Sequence, residues 1–289
     1  MINSNLYKNT FKTSFEVVPP KYEINNIFLK KLVRHSNKFD LLDLTCCPMA
    51  NLRITPISLA HSLISQGISP KKIIINFSTR DRNTLALQSE ILGALAMKID
   101  KILVVKGDRI IKGNSKKSKE VFEINTGKLI KILSDLRQGY DYSKNRINTS
   151  LNYEIFSTLN LNKSYKELIR IINQRLKQGS NFFITQPIFS EKDFELMSKL
   201  SLKTDYKILC GILPITNIKV LHNVLKKLGG IDVESEHLKK IQKIDENDIF
   251  NHSKEYLKNL IKVYKEHLDG IHIMTSGDIS KALKLIENL

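Results

Sequence analysis

Short apolar runs alternate with longer amphipathic segments along the whole chain. Runs such as Leu41–Leu44, Ile73–Ile75 and Ile102–Val105 are mainly apolar and predict strands buried on both faces, as in a parallel sheet. Segments with helical periodicity separate these strands, and eight strand–helix units in one chain predict a (β/α)8 TIM barrel of the α/β class. The predicted strands are Thr13–Glu16, Phe39–Thr45, Ile73–Ile75, Ile102–Val105, Ile147–Asn152, Asn181–Thr185, Tyr206–Cys210 and Gly270–Met274.

Helix boundaries are marked by ordinary capping residues. Thr55 followed by Pro56 predicts a helix N-cap with proline at the first helical position. Gly179 after a patterned helix predicts a C-terminal glycine cap. The segment Asn83–Met97 predicts a helix with Leu85, Leu92 and Leu95 on one face.

A polar residue stands where each predicted strand ends. Because the carboxyl ends of barrel strands lie on one rim, and ligands bind at that rim, these residues are the candidates for chemistry. They are Glu16, Thr45, Asn76, Asp108, Asn152, Gln186 and Thr275.

Length and charge narrow the class of protein. The 289 residues fit one barrel domain spanning residues 1–289, with a flexible N-terminus at residues 1–10 and a mobile rim loop at residues 109–119. The net charge of +17 invites a nucleic-acid partner, but only nine of the 46 basic residues are Arg and the Lys are spread along predicted helices. We therefore expect solvated Lys-rich helix faces and no nucleic-acid partner.

Other site classes lack their sequence signatures. The three Cys (Cys46, Cys47 and Cys210) cannot form a disulfide framework, which favours a reducing compartment. The polar N-terminus lacks a signal peptide, and no apolar stretch is long enough to span a membrane. These features predict a cytoplasmic enzyme. No His or Cys pattern indicates a metal site, and no glycine-rich nucleotide loop is present.

Three of the rim residues carry chemistry of their own, each with a plainer alternative. Glu16 in an apolar strand end could be a general acid with a raised pKa, or simply pair with a Lys. Asp108 could face a heterocycle or a developing cation, or be a turn residue beside Gly107. Gln186 could recognise an amide-like ring edge, or mark the turn before Pro187.

For two further features the sequence allows either a ligand-binding role or a structural role. The segment Ser78–Asn83 could bind an anion at the helix N-terminus or serve as an ordinary cap. Arg175, late in a predicted helix, could be exposed or reach a phosphate.

Several short motifs, in order along nearly the whole chain, resemble the methylenetetrahydrofolate reductase family of the single-domain bacterial and archaeal type. The resemblance covers residues 13 to 288 and is specific because so many motifs occur in family order. The motifs are Ser14–Pro20, Asp43–Pro56, Ser78–Asn83, Lys106–Asp108, Thr185–Pro187, Gly211–Pro214 and Gly270–Thr275.

The resemblance implies a flavin enzyme that reduces 5,10-methylenetetrahydrofolate to 5-methyltetrahydrofolate. It implies FAD as cofactor, with FMN as the alternative, and NAD(P)H or another electron donor. Its expected partners are a second copy of the chain or a methyltransferase-type protein. Glu16 matches the family's general acid, Asp108 its folate and flavin contact and cation stabiliser, and Gln186 its pterin ligand. The implied flavin contacts are Thr45, Asn76, Lys106, Gly107, Asp108, Asn152 and Arg175.

Departures from the family pattern are expected to affect how the flavin tail and the folate are bound. Tyr153 stands where the family has Pro after strand five, and Ile155–Ser157 lacks the acidic and His residues expected there. Asp278 stands where one branch of the family has an Arg for folate. The departures after strand five motivate an alternative, a catalytically silent flavin- or folate-binding barrel that acts as a partner subunit.

Overall fold

A computed structural model describes residues 11–147, 151–203, 205–227, 234–275 and 278–287. The predicted flexible N-terminus at residues 1–10 lies outside the described residues. In the part of the chain that is described, no helix has both the length and the apolar character needed to cross a membrane.

Eight parallel strands form a closed barrel in chain order, which confirms the predicted (β/α)8 fold. The closure follows from the sequence because mainly apolar strands must be covered on both faces, by the barrel interior and by helices. The strands are β1 (Lys12–Val17), β2 (Leu41–Leu44), β3 (Ile73–Ser78), β4 (Lys101–Val105), β5 (Glu154–Leu159), β6 (Phe182–Pro187), β7 (Lys207–Ile212) and β8 (Gly270–Ile273).

Ten α-helices accompany the strands in the described residues. Their predicted caps are confirmed: the Thr55 side chain accepts from the Ser58 amide at 3.3 Å, and Gly179 ends its helix at φ +109°. The helices are α1 (Asn26–His35), α2 (Pro56–Ser65), α3 (Thr84–Ala96), α4 (Thr126–Arg137), α5 (Tyr165–Gln178), α6 (Glu191–Ser201), α7 (Ile218–Lys227), α8 (Glu236–Ile241), α9 (Glu246–Tyr264) and α10 (Ile279–Ile286).

The predicted position of strand five was wrong. Strand β5 begins at Glu154, which pairs with Lys101 at the start of β4, so Asn152 precedes the strand and is exposed. The apolar side chains of Ile155 and Phe156 are buried in β5, whereas residues 148–150 of the predicted strand lie outside the described residues. The residue that follows β5 is Asn160, not Asn152.

The face of α3 that carries Leu85 and Leu92 is turned away from the core. Leu85 and Leu92 are 75% and 38% exposed, whereas Leu87, Ile91 and Ala94 are fully buried. The helix has apolar residues almost all round, so periodicity alone could not select the face that packs on the barrel.

The chain divides into two compact units by its internal contacts. One contains residues 16–158 and 172–182, with strands β2 to β4 and most of β5. The other contains residues 1–15, 159–171 and 183–289. In the second unit α7, α8 and α9 share a hydrophobic cluster with the segment after β7, built on residues such as Leu213, Ile215 and Leu238.

Candidate active site

Glu16 lies next to last in β1, and a second carboxylate lies close to it. The Glu16 side chain is half-buried, while Asp43 in the middle of β2 is only 2% exposed. Burial raises the pKa of Asp43 well above its ordinary value, and the nearby Glu16 charge raises it further. A raised pKa favours the protonated form of Asp43, which lessens the repulsion between the two carboxyl groups at this strand end.

Asn76 in β3 completes this polar group. Its side-chain amide donates to Asp43, which partly lowers the pKa of that carboxyl. The other end of the same amide, Oδ1, is buried and has no hydrogen-bond partner among the described residues. A buried acceptor without a partner is energetically costly, so it is a natural place for a ligand N–H group.

Thr45 follows β2 and is 7% exposed. Its backbone amide donates to the Val17 carbonyl at 3.1 Å, and its hydroxyl lies 3.4 Å from the same oxygen. The hydroxyl oxygen keeps its acceptor capacity, so Thr45 can still bind a ligand donor.

Asp108 comes three residues after β4 and holds the loop that follows β2. Its Oδ2 accepts from the Met49 backbone amide at 2.9 Å. The same loop is bound further along, where the Leu52 amide donates to Asn114 Oδ1 at 3.0 Å. The alternative of a plain turn aspartate therefore does not describe Asp108, which connects two loops through its side chain.

Arg80, which follows β3, forms hydrogen bonds with both of these loops. It is 1% exposed, and its guanidinium donates to the Asp108 carbonyl at 3.0 Å and to the Cys47 carbonyl at 3.3 Å. The remaining donors form a forked pair with Asp81, at 2.5 Å and 2.8 Å. The guanidinium has five donors in a fixed plane and can reach these acceptors at once, whereas a lysine has three donors on a single nitrogen.

Two glycines let the loops approach each other. Gly107 has φ +82°, and a Cβ there would come within 2.3 Å of Ser78 Oγ. A Cβ on Gly113 would come within 1.8 Å of the Ala50 carbonyl oxygen. Both positions therefore require glycine for the observed packing.

The predicted rim loop at residues 109–119 carries several tethers. Glu120 accepts from the Ile110 amide at 2.7 Å and pairs with Arg109 at 2.7 Å. The first turn of this loop also places the Ile110 side chain in the protein interior. Lys106, at the start of the same connection, is exposed.

Gln186 belongs to the other unit, where it is half-buried near the end of β6. Its backbone is held by strand β7: the Thr185 hydroxyl donates to the Gln186 carbonyl at 2.8 Å and accepts from the Gly211 amide at 2.8 Å. Gln186 and Pro187 both lie within β6, so the alternative of a turn before Pro187 does not describe Gln186.

Arg175 and the segment Ser78–Asn83 have partners within the protein. Arg175 is half-buried in the last turn of α5 and donates to Thr126 Oγ1 at 2.9 Å, so it helps pack α5 against α4. Asn83 is the N-cap of α3 and accepts from the Ala86 amide at 2.9 Å. The capping alternative therefore describes Asn83.

The family model of methylenetetrahydrofolate reductase matches residues 1–289. The chain belongs to this family. A search of curated proteins found no match.

Solved structures share the fold at low identity. An uncharacterized protein from Clostridium thermocellum that binds two copies of 5-methyl-5,6,7,8-tetrahydrofolic acid is 15% identical, with a TM-score of 0.61, over 97% of this chain and 94% of that one. EDTA monooxygenase from Chelativorans sp. BNC1 is 10% identical, with a TM-score of 0.52, over 96% and 92%.

The position of β5 changes how the chain compares with other reductases of the family. Ile155–Ser157 lies inside the strand, so the acidic and His residues of the family cannot be sought there. Tyr153 is 2% exposed and its hydroxyl donates to the Leu133 carbonyl at 2.6 Å, which makes it a packing residue. The expected departures after strand five were therefore assigned to the wrong residues.

Sequence reasoning missed two residues of this candidate site. Asp43 was noted only as part of a strand, although a carboxylate inside an otherwise apolar run is itself a signal of a functional group. Arg80 was noted only within a capping segment. Its partners Cys47 and Asp108 are 33 and 28 residues away in sequence, so no local signal could have found its role.

Replacing Asp43 by Asn should reduce the pH dependence of stability. An aspartate whose folded pKa is raised stabilises the fold at low pH and loses that contribution as pH rises from its unfolded value of about 4 through its folded value. Each pH unit in this window lowers the free energy of unfolding of the wild type by about 1.4 kcal/mol. Urea unfolding from pH 4 to pH 8 should show a smaller decline for Asp43→Asn. An unchanged decline, equal to that of the exposed control Asp205→Asn, would contradict the buried-acid assignment.

Proposed function

We propose that this protein reduces 5,10-methylenetetrahydrofolate to 5-methyltetrahydrofolate in a flavin-dependent reaction, with Glu16 as the general acid. The observation that carries the proposal is the group formed by Glu16, Asp43 and Asn76 in the C-terminal halves of three strands, in a chain of the methylenetetrahydrofolate reductase family. The folate-binding Clostridium thermocellum protein of the same fold supports a folate as the substrate.

The donor and acceptor set fits a flavin ring. Asn76 Oδ1 is a buried acceptor without a partner among the described residues, and the imide N–H of an isoalloxazine would complete its hydrogen bonding. Thr45, Lys106, Gly107 and Asp108 supply further polar groups at neighbouring strand ends. When bound, reduced flavin supplies the hydride that these residues cannot.

Of the two remaining predicted flavin contacts, Arg175 is kept in the proposed flavin site and Asn152 is not. Arg175 keeps donors beyond those used by Thr126 and Gln178, so a contact with the flavin tail remains part of the proposal. Asn152 is left out of the proposed flavin site, because it precedes β5 instead of following it.

The chain's own residues would handle the proton and the charge. Opening the five-membered ring of the folate requires a proton on the leaving nitrogen, and we assign its delivery to Glu16. The iminium cation that forms would be stabilised by the Asp108 carboxylate, which is held in place by the Met49 amide. We assign Gln186 to the pterin edge, where its amide can both donate and accept.

Anaerobic half-reactions test the proposed activity. The purified protein is mixed with FAD or FMN, reduced by NADH, NADPH or dithionite, and then mixed with 5,10-methylenetetrahydrofolate. We expect a bound-flavin spectrum whose reduced form is reoxidised by the folate, with 5-methyltetrahydrofolate as product. Protein that binds neither flavin would contradict the proposal. The three reductants also show whether NAD(P)H is the electron donor.

A folate-binding barrel without turnover is the second candidate. It is favoured by the structural neighbour, whose known property is binding of the methylated folate. Its original motive, the missing residues after strand five, no longer applies because those positions lie within β5. Folate binding by calorimetry, without reoxidation of bound reduced flavin, would favour this candidate over the reductase.

A further inference from the structure

Two adjacent cysteines lie in the loop between β2 and α2, directly after Thr45. Cys46 is 7% exposed and Cys47 is half-buried, and all three cysteines of the chain are free thiols. Three residues of this loop have left-handed backbone conformations although none is glycine: Cys47 at φ 42°, Met49 at φ 54° and Ala50 at φ 55°. Such conformations are costly and are kept where the surrounding structure over-determines them, often at functional positions.

Two arginine side chains contact the pair, one at each cysteine. Arg82 donates to the Cys46 sulfur at 3.4 Å and pairs with Glu90 at 2.6 Å. Arg80 donates to the Cys47 backbone carbonyl at 3.3 Å, and the Cys47 sulfur lies 4.0 Å from the Arg53 carbonyl oxygen. The opposing charge is Asp81, whose carboxylate is already forked onto Arg80. Partial exposure beside guanidinium groups is the setting of reactive cysteines, in contrast to fully buried ones.

From this arrangement we infer that Cys47 is a modification site, a thiolate that reacts with peroxides and other small electrophiles, with Cys46 as the thiol donor that activates it. The inference rests on the adjacent thiols, on the two arginines and on the partial exposure of Cys47 within a constrained loop.

The acidity of the two thiols agrees with this division of roles. The hydrogen bond from Cys46 is the largest cause that lowers the pKa of Cys47 to about 6, with a contribution from Arg80 and against the effect of burial and Asp81. The same hydrogen bond and burial raise the pKa of Cys46 well above its ordinary value. Both directions agree with Cys47, the more exposed of the two thiols, as the more acidic one.

The reaction with a peroxide balances without another reagent. The Cys47 sulfur attacks the terminal oxygen, the S–O bond forms as the O–O bond breaks, and the departing oxygen takes a proton to leave as alcohol or water. Sulfur is oxidised to sulfenic acid and the peroxide is reduced. A small thiol then condenses with the sulfenic acid to a mixed disulfide and releases water.

Modification of the Cys47 sulfur would also affect Asp108. Met49, two residues after Cys47, donates its amide to the Asp108 carboxylate, and Arg80 joins the carbonyls of Cys47 and Asp108. A group added to the Cys47 sulfur would disturb this loop and with it the Asp108 side chain. This consequence for activity rests on the proposed function, whereas the modification itself does not.

The pH dependence of alkylation tests the site. Intact protein without added flavin is treated with iodoacetamide from pH 5 to pH 9, and labelled peptides are quantified by mass spectrometry. At pH 6 about half of Cys47 should be thiolate, against about 0.3% for an ordinary thiol. The lower basicity reduces intrinsic reactivity about tenfold, so we expect labelling about tenfold faster than in the urea-unfolded chain. The midpoint should lie near pH 6.

The controls use the other thiols of the chain. Cys210 is fully buried and burial raises its pKa, so it should stay unlabelled in the folded protein. Cys47→Ser should lose the fast label, and Cys46→Ala, which removes the S–H donor, should move the midpoint upward. After one equivalent of hydrogen peroxide, dimedone should tag Cys47.

A midpoint in the wild type at the ordinary thiol value, or labelling of Cys210 ahead of Cys47, would overturn the inference even if neither variant folds. None of these measurements needs flavin or folate. Their failure is therefore separable from failure of the proposed reductase activity.

Discussion

Replacing Glu16 by Gln should lower the rate of folate reduction by about 10²–10⁴-fold, the usual contribution of a positioned general acid. The amide has nearly the same shape as the carboxyl group but cannot supply the proton that opens the folate ring. Flavin binding and reduction by the electron donor should change little, because neither needs that proton. Stopped-flow absorbance of the two half-reactions separates the effects.

The exposed Glu23→Gln is the matched control, since it makes the same chemical change six residues after the end of β1 and away from Asp43. It should keep wild-type rates in both half-reactions. A Glu16→Gln variant that reduces folate at the control's rate would remove Glu16 from the mechanism. A variant that loses flavin reduction as well would assign Glu16 to flavin binding.

Replacing Arg80 by Leu should destabilise the protein by about 3 kcal/mol, within the range for breaking a buried ion pair. The substitution leaves two backbone carbonyls, those of Cys47 and Asp108, without their donor. Because Asp81 is 29% exposed, water can partly take over its hydrogen bonds, which keeps the estimate at the lower end of the range. The free energy of unfolding in urea measures the effect.

Arg109 provides the matched control for Arg80. It also pairs with a carboxylate, Glu120, but its side chain is 67% exposed, so Arg109→Leu should cost at most about 1 kcal/mol. Arg80→Lys keeps the charge and loses the fork, so its stability should fall between wild type and Arg80→Leu. Equal stability of Arg80→Leu and Arg109→Leu would show that Arg80 does not hold the loops.

Arg80 should also influence the reaction through Asp108. If it positions that side chain, Arg80→Lys should lower kcat for folate reduction more than it raises KM, while flavin reduction stays near the wild-type rate. A change in stability alone, with both half-reactions intact, would leave Arg80 with a purely structural role.

The sequence by itself determined the fold and most of its strand ends. Buried parallel strands need continuous apolar runs and helix ends need capping groups, and both are local patterns that a chain of this length displays directly. For the same reason the sequence placed Glu16, Thr45, Asp108 and Gln186 at or near the carboxyl ends of their strands, whereas β3 continues two residues beyond Asn76.

Only the tertiary structure decided what these residues contact. Strand five was misplaced, since it begins at Glu154 and has Ile155 and Phe156 buried in it. The pairing of Asp43 with Glu16, and the bonds from Arg80 to two distant loops, join residues 27 or more positions apart. Desolvation and hydrogen bonds of this kind exist only once the barrel has closed, so no local pattern could have encoded them.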